Sequence, residues 1–233
     1  NQMIKTISPV DGSIYVERET AASSHISDVL EQASRAQQSW KNTALEERKR
    51  LCALAVEAFV ADQERICQEL TWQMGRPIRY GIGEINGFVE RATHMISIAD
   101  EALEQVEVDQ KEGFTRYIKR EPVGVVFVVA PWNYPYLTSV NSIIPALLAG
   151  NSVVLKHSAQ TPLCAERLFD AFEKAGLPEG VFQYLHLSHD DTRNIIQSGI
   201  LNHVAFTGSV PGGAQIEQYA AGQFMGVGLE LGG

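Results

Sequence analysis

Apolar residues recur at two different periods along this chain, and the change of period divides it. Residues 25 to 103 have helical spacing. In "HISDVLEQASRAQQSW", Ile26, Val29, Leu30, Ala33 and Trp40 fall on one face. A second helix is predicted from "TALE", where Thr43 and Glu46 have capping-box spacing, and the apolar periodicity runs on to "WQMG", with Gly75 as its stop. The third stripe is the most regular: Ile82, Ile85, Val89, Ala92, Ile96, Ala99 and Leu103 step by three and four, predicting a buried face. His94 lies off it, as a solvated or capping histidine. At "GFTRYIKRE" strand formers with alternating charge take over.

Beyond residue 122 short apolar runs alternate with helical segments. The predicted strands are "VGVVFVVA" (123–130), "SVVLK" (152–156), "VFQYL" (181–185), "HVAF" (203–206) and "VGLEL" (227–231), with "SVNSIIPALLAG", "TPLCAERLFDAFEKAG", "DDTRNIIQSG" and "PGGAQIEQYAAG" between and around them. Strands apolar on both faces, each followed by a helix ending in Gly, imply a parallel sheet covered on both sides. With right-handed crossovers this is an α/β fold: a doubly wound, Rossmann-like, mostly parallel sheet preceded by amino-terminal helices. Ligands in such a sheet collect at the carboxyl ends of the strands. Polar residues stand there: Asn133, Lys156, Gly208 with Ser209, and Glu230.

Composition narrows the function classes. With 233 residues and 45% hydrophobic content, the chain is long enough for one large or two small domains. Its 19 Lys and Arg against 28 Asp and Glu give a net charge of -9, which argues against nucleic acid or an anionic membrane as the main partner. The opening "NQMIKTISPV" lacks the apolar core of a signal peptide, and no apolar run approaches the ~20 residues of a membrane span, so a cytoplasmic location is expected. Cys52, Cys67 and Cys164 are widely spaced without a CxxC pair. They suggest neither a disulfide framework nor a zinc site, and each reads as a small hydrophobe.

Taken singly, the polar strand ends stay open to two readings. Asn133, in "VVAPWNYPYL", is either a turn residue or an amide donor to a reacting oxygen. Glu230 is either a satisfied structural carboxylate or a general base whose apolar strand end suits proton transfer. "FTGSVPGG" is either a strand-to-helix turn or a phosphate site on a helix N-terminus, and Lys156 is either a surface lysine or a ligand contact.

Four motifs, "PWNYP", "LKHSAQTP", "FTGSVPGG" and "LELGG", occur in this order and at these separations. Together they resemble the NAD(P)-dependent aldehyde dehydrogenase superfamily, from about "ISPVDG" to the last residue. The resemblance implies an NAD(P)-binding domain over residues 1–103 and 123–233. Residues 104–122 would be the first part of a small bridging hairpin used for oligomerisation, and the complete enzyme a homodimer or tetramer. It also implies a catalytic domain whose nucleophilic cysteine lies a few tens of residues beyond "LELGG", so that domain is absent here. Cys52 and Cys67 sit in helices far from any motif and Cys164 follows the ribose motif; none is expected to replace it. On its own the chain is expected to be inactive, with apolar patches and sheet edges left open. The alternative is a catalytically inactive NAD(P)-binding module or fragment.

Residue roles follow from the same resemblance. Asn133 would donate to the oxyanion formed when a thiolate adds to an aldehyde, a donor typically worth ~3 kcal/mol of barrier. Glu230 would activate water against the thioester, which favours carboxylate formation over acyl transfer to coenzyme A. Pro131 and Trp132 would shape the turn beside the cofactor. Gly208, Ser209 and Gly213 would meet its pyrophosphate, Leu231 would border it, and Lys156 and Ser158 would reach the adenosine ribose. NAD-preferring members commonly carry a glutamate three residues after that lysine. Ala159 stands there, and Lys156, His157 and Ser158 offer charge or donors, so the cofactor is NADP or NAD with a lean to NADP. Members acting on carboxylate-bearing aldehydes often place an arginine where this chain has Asn141, which weakens that substrate class. Tyr134, Thr138 and Asn141 are expected near the aldehyde entrance or on a packed helix face.

Overall fold

A computed structural model describes residues 2–232. The chain opens with a feature that the apolar spacing did not predict, an antiparallel hairpin of β1 (Met3–Ile7) and β2 (Ile14–Glu19). Its turn is closed by local polar bonds, the Ser13 N–H donating to Asp11 Oδ1 at 2.9 Å. Long-range bonds then tie the ribbon down: the Thr6 hydroxyl donates to the Ala159 carbonyl at 2.9 Å, and Arg18 pairs with Glu166 at 2.9 Å.

Helix α1 (Ser23–Trp40) buries Val29, Leu30, Ala33 and Trp40 as its stripe requires. The predicted second helix is two, α2 (Leu45–Ala61) and α3 (Gln63–Met74), broken at Asp62. The capping box at Thr43 and Glu46 does not form. Ala44 is the N-cap without a side-chain bond, and the Thr43 carbonyl instead accepts from Arg48, whose Nε also reaches the Leu148 carbonyl at 2.8 Å. Gly75 does end α3, in the left-handed region at φ 80°, where a side chain would be strained. After a short 3₁₀ turn, Ile78–Tyr80, comes α4 (Gly81–Ala102). Its buried face is rotated from the predicted stripe: Glu84, Ile85, Phe88, Ala92 and Ala99 are buried, whereas Ile82 is exposed. His94 is exposed, as expected.

A minimal hairpin, β3 (Val106–Glu107) with β4 (Tyr117–Ile118), follows within residues 104–122. Then come β5 (Val125–Ala130), α5 (Pro135–Leu148), β6 (Ser152–His157), α6 (Pro162–Ala175), β7 (Phe182–Tyr184), α7 (His189–Ile196), β8 (His203–Gly208), α8 (Val210–Ala220) and β9 (Gly226–Leu231). All five predicted strands are present. They form one parallel sheet in the order β7-β6-β5-β8-β9, with β5 buried along its whole length.

Successive side chains of the sheet point to opposite faces, and both faces are covered. Val126, Val128, Val153 and Leu155 pack with Phe59, Phe88, Tyr136 and Phe172 from the helices of one side. Phe127, Val129 and Val154 pack on the other with Val29, Leu30, Ile196 and Ile216. Two asparagines clip the entry to β5. Asn151 Oδ1 accepts from the Gly124 N–H at 3.0 Å, and Asn202 Oδ1 accepts from the Val125 N–H at 2.9 Å. Among the described residues no helix is long and apolar enough to cross a membrane.

Candidate functional site

Because β6 and β7 lie on one side of β5 while β8 and β9 lie on the other, the crossovers diverge between β5 and β8. In a doubly wound sheet that divergence opens a crevice at the carboxyl ends of the strands. A cleft of about 560 Å³ lies there, lined by residues from the ends of β5, β6, β8 and β9. Nine of the residues singled out from the sequence line it: Pro131, Trp132, Asn133, Lys156, Ser158, Gly208, Ser209, Glu230 and Leu231. Thr138 lines it as well. Ala159 and Gly213 stand off its wall, as do Tyr134 and Asn141.

Asn133 occupies the bend between β5 and α5, and both readings of it find support there. Its Oδ1 accepts from the Tyr134 N–H at 2.9 Å, a local turn bond. The same bond commits the acceptor end of the amide and leaves the two N–H donors of Nδ2 for another partner, the polarity that a developing oxyanion needs. Helix α5 begins with Pro135, and its next free N–H groups, those of Tyr136 and Leu137, donate to Glu84 Oε2 at 3.3 and 3.1 Å. Glu84 thus caps a helix 52 residues away in sequence. Burial raises its carboxyl above the ordinary range, against those N–H groups and Arg76, which reaches Oε1 at 3.4 Å. Neither Glu84 nor Arg76 was visible as a site residue in the sequence.

Glu230 faces the cleft from β9, two strands from β5, on the order of 10 Å at the usual strand spacing. That separation leaves room for a small substrate between it and Asn133. The carboxylate is exposed, so the apolar surroundings expected of it are not supplied by the described residues.

Lys156, at the end of β6, is the cation of the cleft. Burial alone lowers its pKa, because no carboxylate or hydrogen-bond acceptor meets it among the described residues. A half-buried ammonium left without a partner fits a ligand offering hydroxyl or phosphate oxygens. His157 does not share that task. It points to the opposite face, is buried, and its pKa is pushed down to about 4 by burial, so it brings no positive charge to a bound phosphate.

The glycine-rich turn is more crowded than its sequence suggests. Ser209 caps α8, its hydroxyl accepting from the Gly212 N–H at 3.1 Å, and Pro211 has no N–H to offer. In the first turn of α8 the Val210 N–H is therefore the donor left for an anion. The glycines serve close packing. A Cβ at Gly208 or Gly212 would come 2.7 or 2.8 Å from Cζ of Phe206, and one at Gly213 would come 2.5 Å from Cδ2 of Leu231. Gly213, expected against a pyrophosphate, lets α8 approach the strand that carries Leu231 and Glu230. Ala159 is exposed, and its carbonyl is taken by Thr6.

None of the cysteines lines the cleft. Cys52 and Cys164 are buried and Cys67 is half-buried; burial raises all three thiols, Cys52 to about 12.

The model of the aldehyde dehydrogenase family matches residues 1–233. An aldehyde dehydrogenase of Paenarthrobacter nicotinovorans is 30% identical over 99% of this chain and 51% of its own length. Among solved structures, succinic semialdehyde dehydrogenase from Streptococcus pyogenes, in complex with NADP+, superposes with a TM-score of 0.93 at 28% identity, covering 99% of this chain and 50% of that one. An NAD-dependent benzaldehyde dehydrogenase from Corynebacterium glutamicum gives a TM-score of 0.92 at 28% identity, covering 100% and 51%. The chain spans about half the length of the relatives it matches. Matched from end to end, it belongs to the aldehyde dehydrogenase family.

Proposed function

We propose that the protein carrying this chain oxidises an aldehyde to a carboxylic acid, with NAD or NADP as the hydride acceptor. One observation carries the reading: Asn133 and Glu230 line the same cleft at the carboxyl rim of the sheet, beside Lys156, which has no partner among the described residues. Asn133 donates from Nδ2 to the carbonyl oxygen as a nucleophile adds to the aldehyde carbon. By family resemblance that nucleophile is a cysteine from outside this chain. Glu230 takes a proton from the water that releases the acid. A nicotinamide cofactor would supply the acceptor for the hydride that leaves the aldehyde carbon. Lys156, Ser158 and the Val210 N–H would hold the rest of the dinucleotide, and Trp132 and Leu231 would wall it.

NADP is the proposed preference. By family resemblance position 159 is where NAD-preferring members carry a carboxylate, and Ala159 carries none; Lys156 supplies the charge without help from His157. The S. pyogenes neighbour is described with NADP+ and the C. glutamicum neighbour as NAD-dependent, so both cofactors occur on this fold. Residues 104–122 are proposed as an oligomerisation hairpin, supported by the exposed Phe114, Tyr117 and Ile118. The rest of the described chain is proposed as the cofactor domain. A cytoplasmic location is supported by three free cysteines, which suit a reducing compartment.

Titration with NADP and NAD, read by tryptophan fluorescence, tests the reading, because Trp132 lies on the cleft wall. Saturable quenching that Trp132→Phe removes is expected, tighter for NADP. No binding of either nucleotide by the natural-length protein would overturn it.

A further inference from the structure

We infer that Arg76 is a positioning residue for Asn133, a role resting on the reading of Asn133 as the oxyanion donor. The peptide unit between residues 133 and 134 is held at both ends. Arg76 Nη2 donates to its C=O at 2.6 Å, and its N–H donates to Asn133 Oδ1 at 2.9 Å. A peptide is planar, so fixing the carbonyl fixes the direction of the N–H across from it. That N–H orients the side-chain amide, and the amide's other end is the catalytic donor. Arg76 therefore sets the aim of Nδ2 through one rigid plane.

The grip is itself anchored. Arg76 lies with its side chain 15% exposed against a fully buried Glu84, its guanidinium 4.9 Å from the centroid of the Tyr134 ring. Its backbone follows the left-handed Gly75, precedes Pro77, and has its carbonyl bonded by the Thr71 hydroxyl at 2.6 Å. Glu84 in turn holds the N–H groups of Tyr136 and Leu137. One ion pair thus fixes the bend on both sides of Tyr134. A planar guanidinium can serve a carbonyl, a carboxylate and a ring face together; an ammonium cannot.

The test uses the protein at its natural length and compares Asn133→Ala, Arg76→Ala, Arg76→Lys and the Asn133→Ala/Arg76→Ala double variant. Turnover and the dissociation constant for NADP are measured for each. Loss of the donor should lower kcat by ~10²–10³-fold. Loss of its positioning should lower kcat by ~10–100-fold, as a misplacement of about 1 Å does, with cofactor affinity within about twofold of wild type. Arg76→Lys should fall between, and it keeps a cation beside Glu84 should Arg76→Ala not fold. In the double variant the Arg76 change should add nothing, because it acts only through an amide already removed. An Arg76 effect that multiplies with the Asn133 loss overturns the positioning role alone, as does an unchanged kcat in both Arg76 variants. An Asn133→Ala variant with full kcat overturns the functional reading beneath it.

Discussion

The imidazole of His157 stands 3.1 Å, from its Nε2, to the carbonyl oxygen of Pro135, and so joins the end of β6 to the start of α5. Its Nδ1 accepts from the Ser158 N–H at 3.0 Å and meets the Thr161 hydroxyl at 2.9 Å. Only the neutral ring, protonated on Nε2, satisfies the backbone groups on both sides; a proton on Nδ1 would point at the Ser158 N–H. Burial pushes the pKa down to about 4 from an ordinary 6.5. The unfolded chain therefore binds the proton first as pH falls. Stability should be fully present above about pH 6.5 and decline toward pH 4, by on the order of 3 kcal/mol. Urea unfolding at pH 7, 5.5 and 4.5 checks this, and His157→Asn should flatten that slope while lowering stability at pH 7. An equal slope in the variant would assign it to other groups.

Lys156 costs the fold something and serves the ligand. Burial disfavours its charge and no partner among the described residues offsets that, so Lys156→Met should leave the melting temperature unchanged or raise it. The same variant should bind NADP at least ~10-fold more weakly, an energy of about 1.4 kcal/mol. Differential scanning fluorimetry with and without nucleotide reads both. A variant that melts lower yet binds normally would make Lys156 structural.

Gly124 and Gly213 are both closely packed, yet alanine should treat them differently. Gly124 has φ 130°, and its Cβ would overlap Asn202 Oδ1, the atom that holds the Val125 N–H. Gly124→Ala combines backbone strain with displacement of the acceptor that holds the N–H of the buried Val125 and should destabilise by about 2–4 kcal/mol. At Gly213 the neighbour is the far end of the Leu231 side chain, which can turn aside, so the cost should stay near ~1 kcal/mol. Chemical denaturation of the two variants compares them directly.

The sheet was legible in the sequence because parallel strands buried on both faces appear as unbroken apolar runs, and their ends marked the cleft. The amino-terminal hairpin was not: β1 and β2 form an isolated ribbon, largely solvent-facing, whose anchors Ala159 and Glu166 lie more than a hundred residues away. Along α4 the stripe through Ile82, Val89 and Ile96 competed with one through Glu84, Phe88 and Ala92. The second is the buried one, but a glutamate within it reads as solvent-facing until the N-terminus of α5 is there to bind it. Arg76 stayed hidden for the same reason. Its partners, a backbone carbonyl and a ring face, leave no mark in residue spacing. Asn133 was legible in type, whereas the direction of its amide came only from the bond to Tyr134.

The central strand has a kinetic consequence. β5 must find β6 and also β8, and the side chain that clips its first N–H is 77 residues away. Contacts of that separation form late, after most of the loop-closure entropy has been lost. During refolding, early collapse of the helices should restore much of the circular dichroism while nucleotide-induced fluorescence change is still absent. Binding competence should then appear in a single slow phase, as the order of the strands is completed.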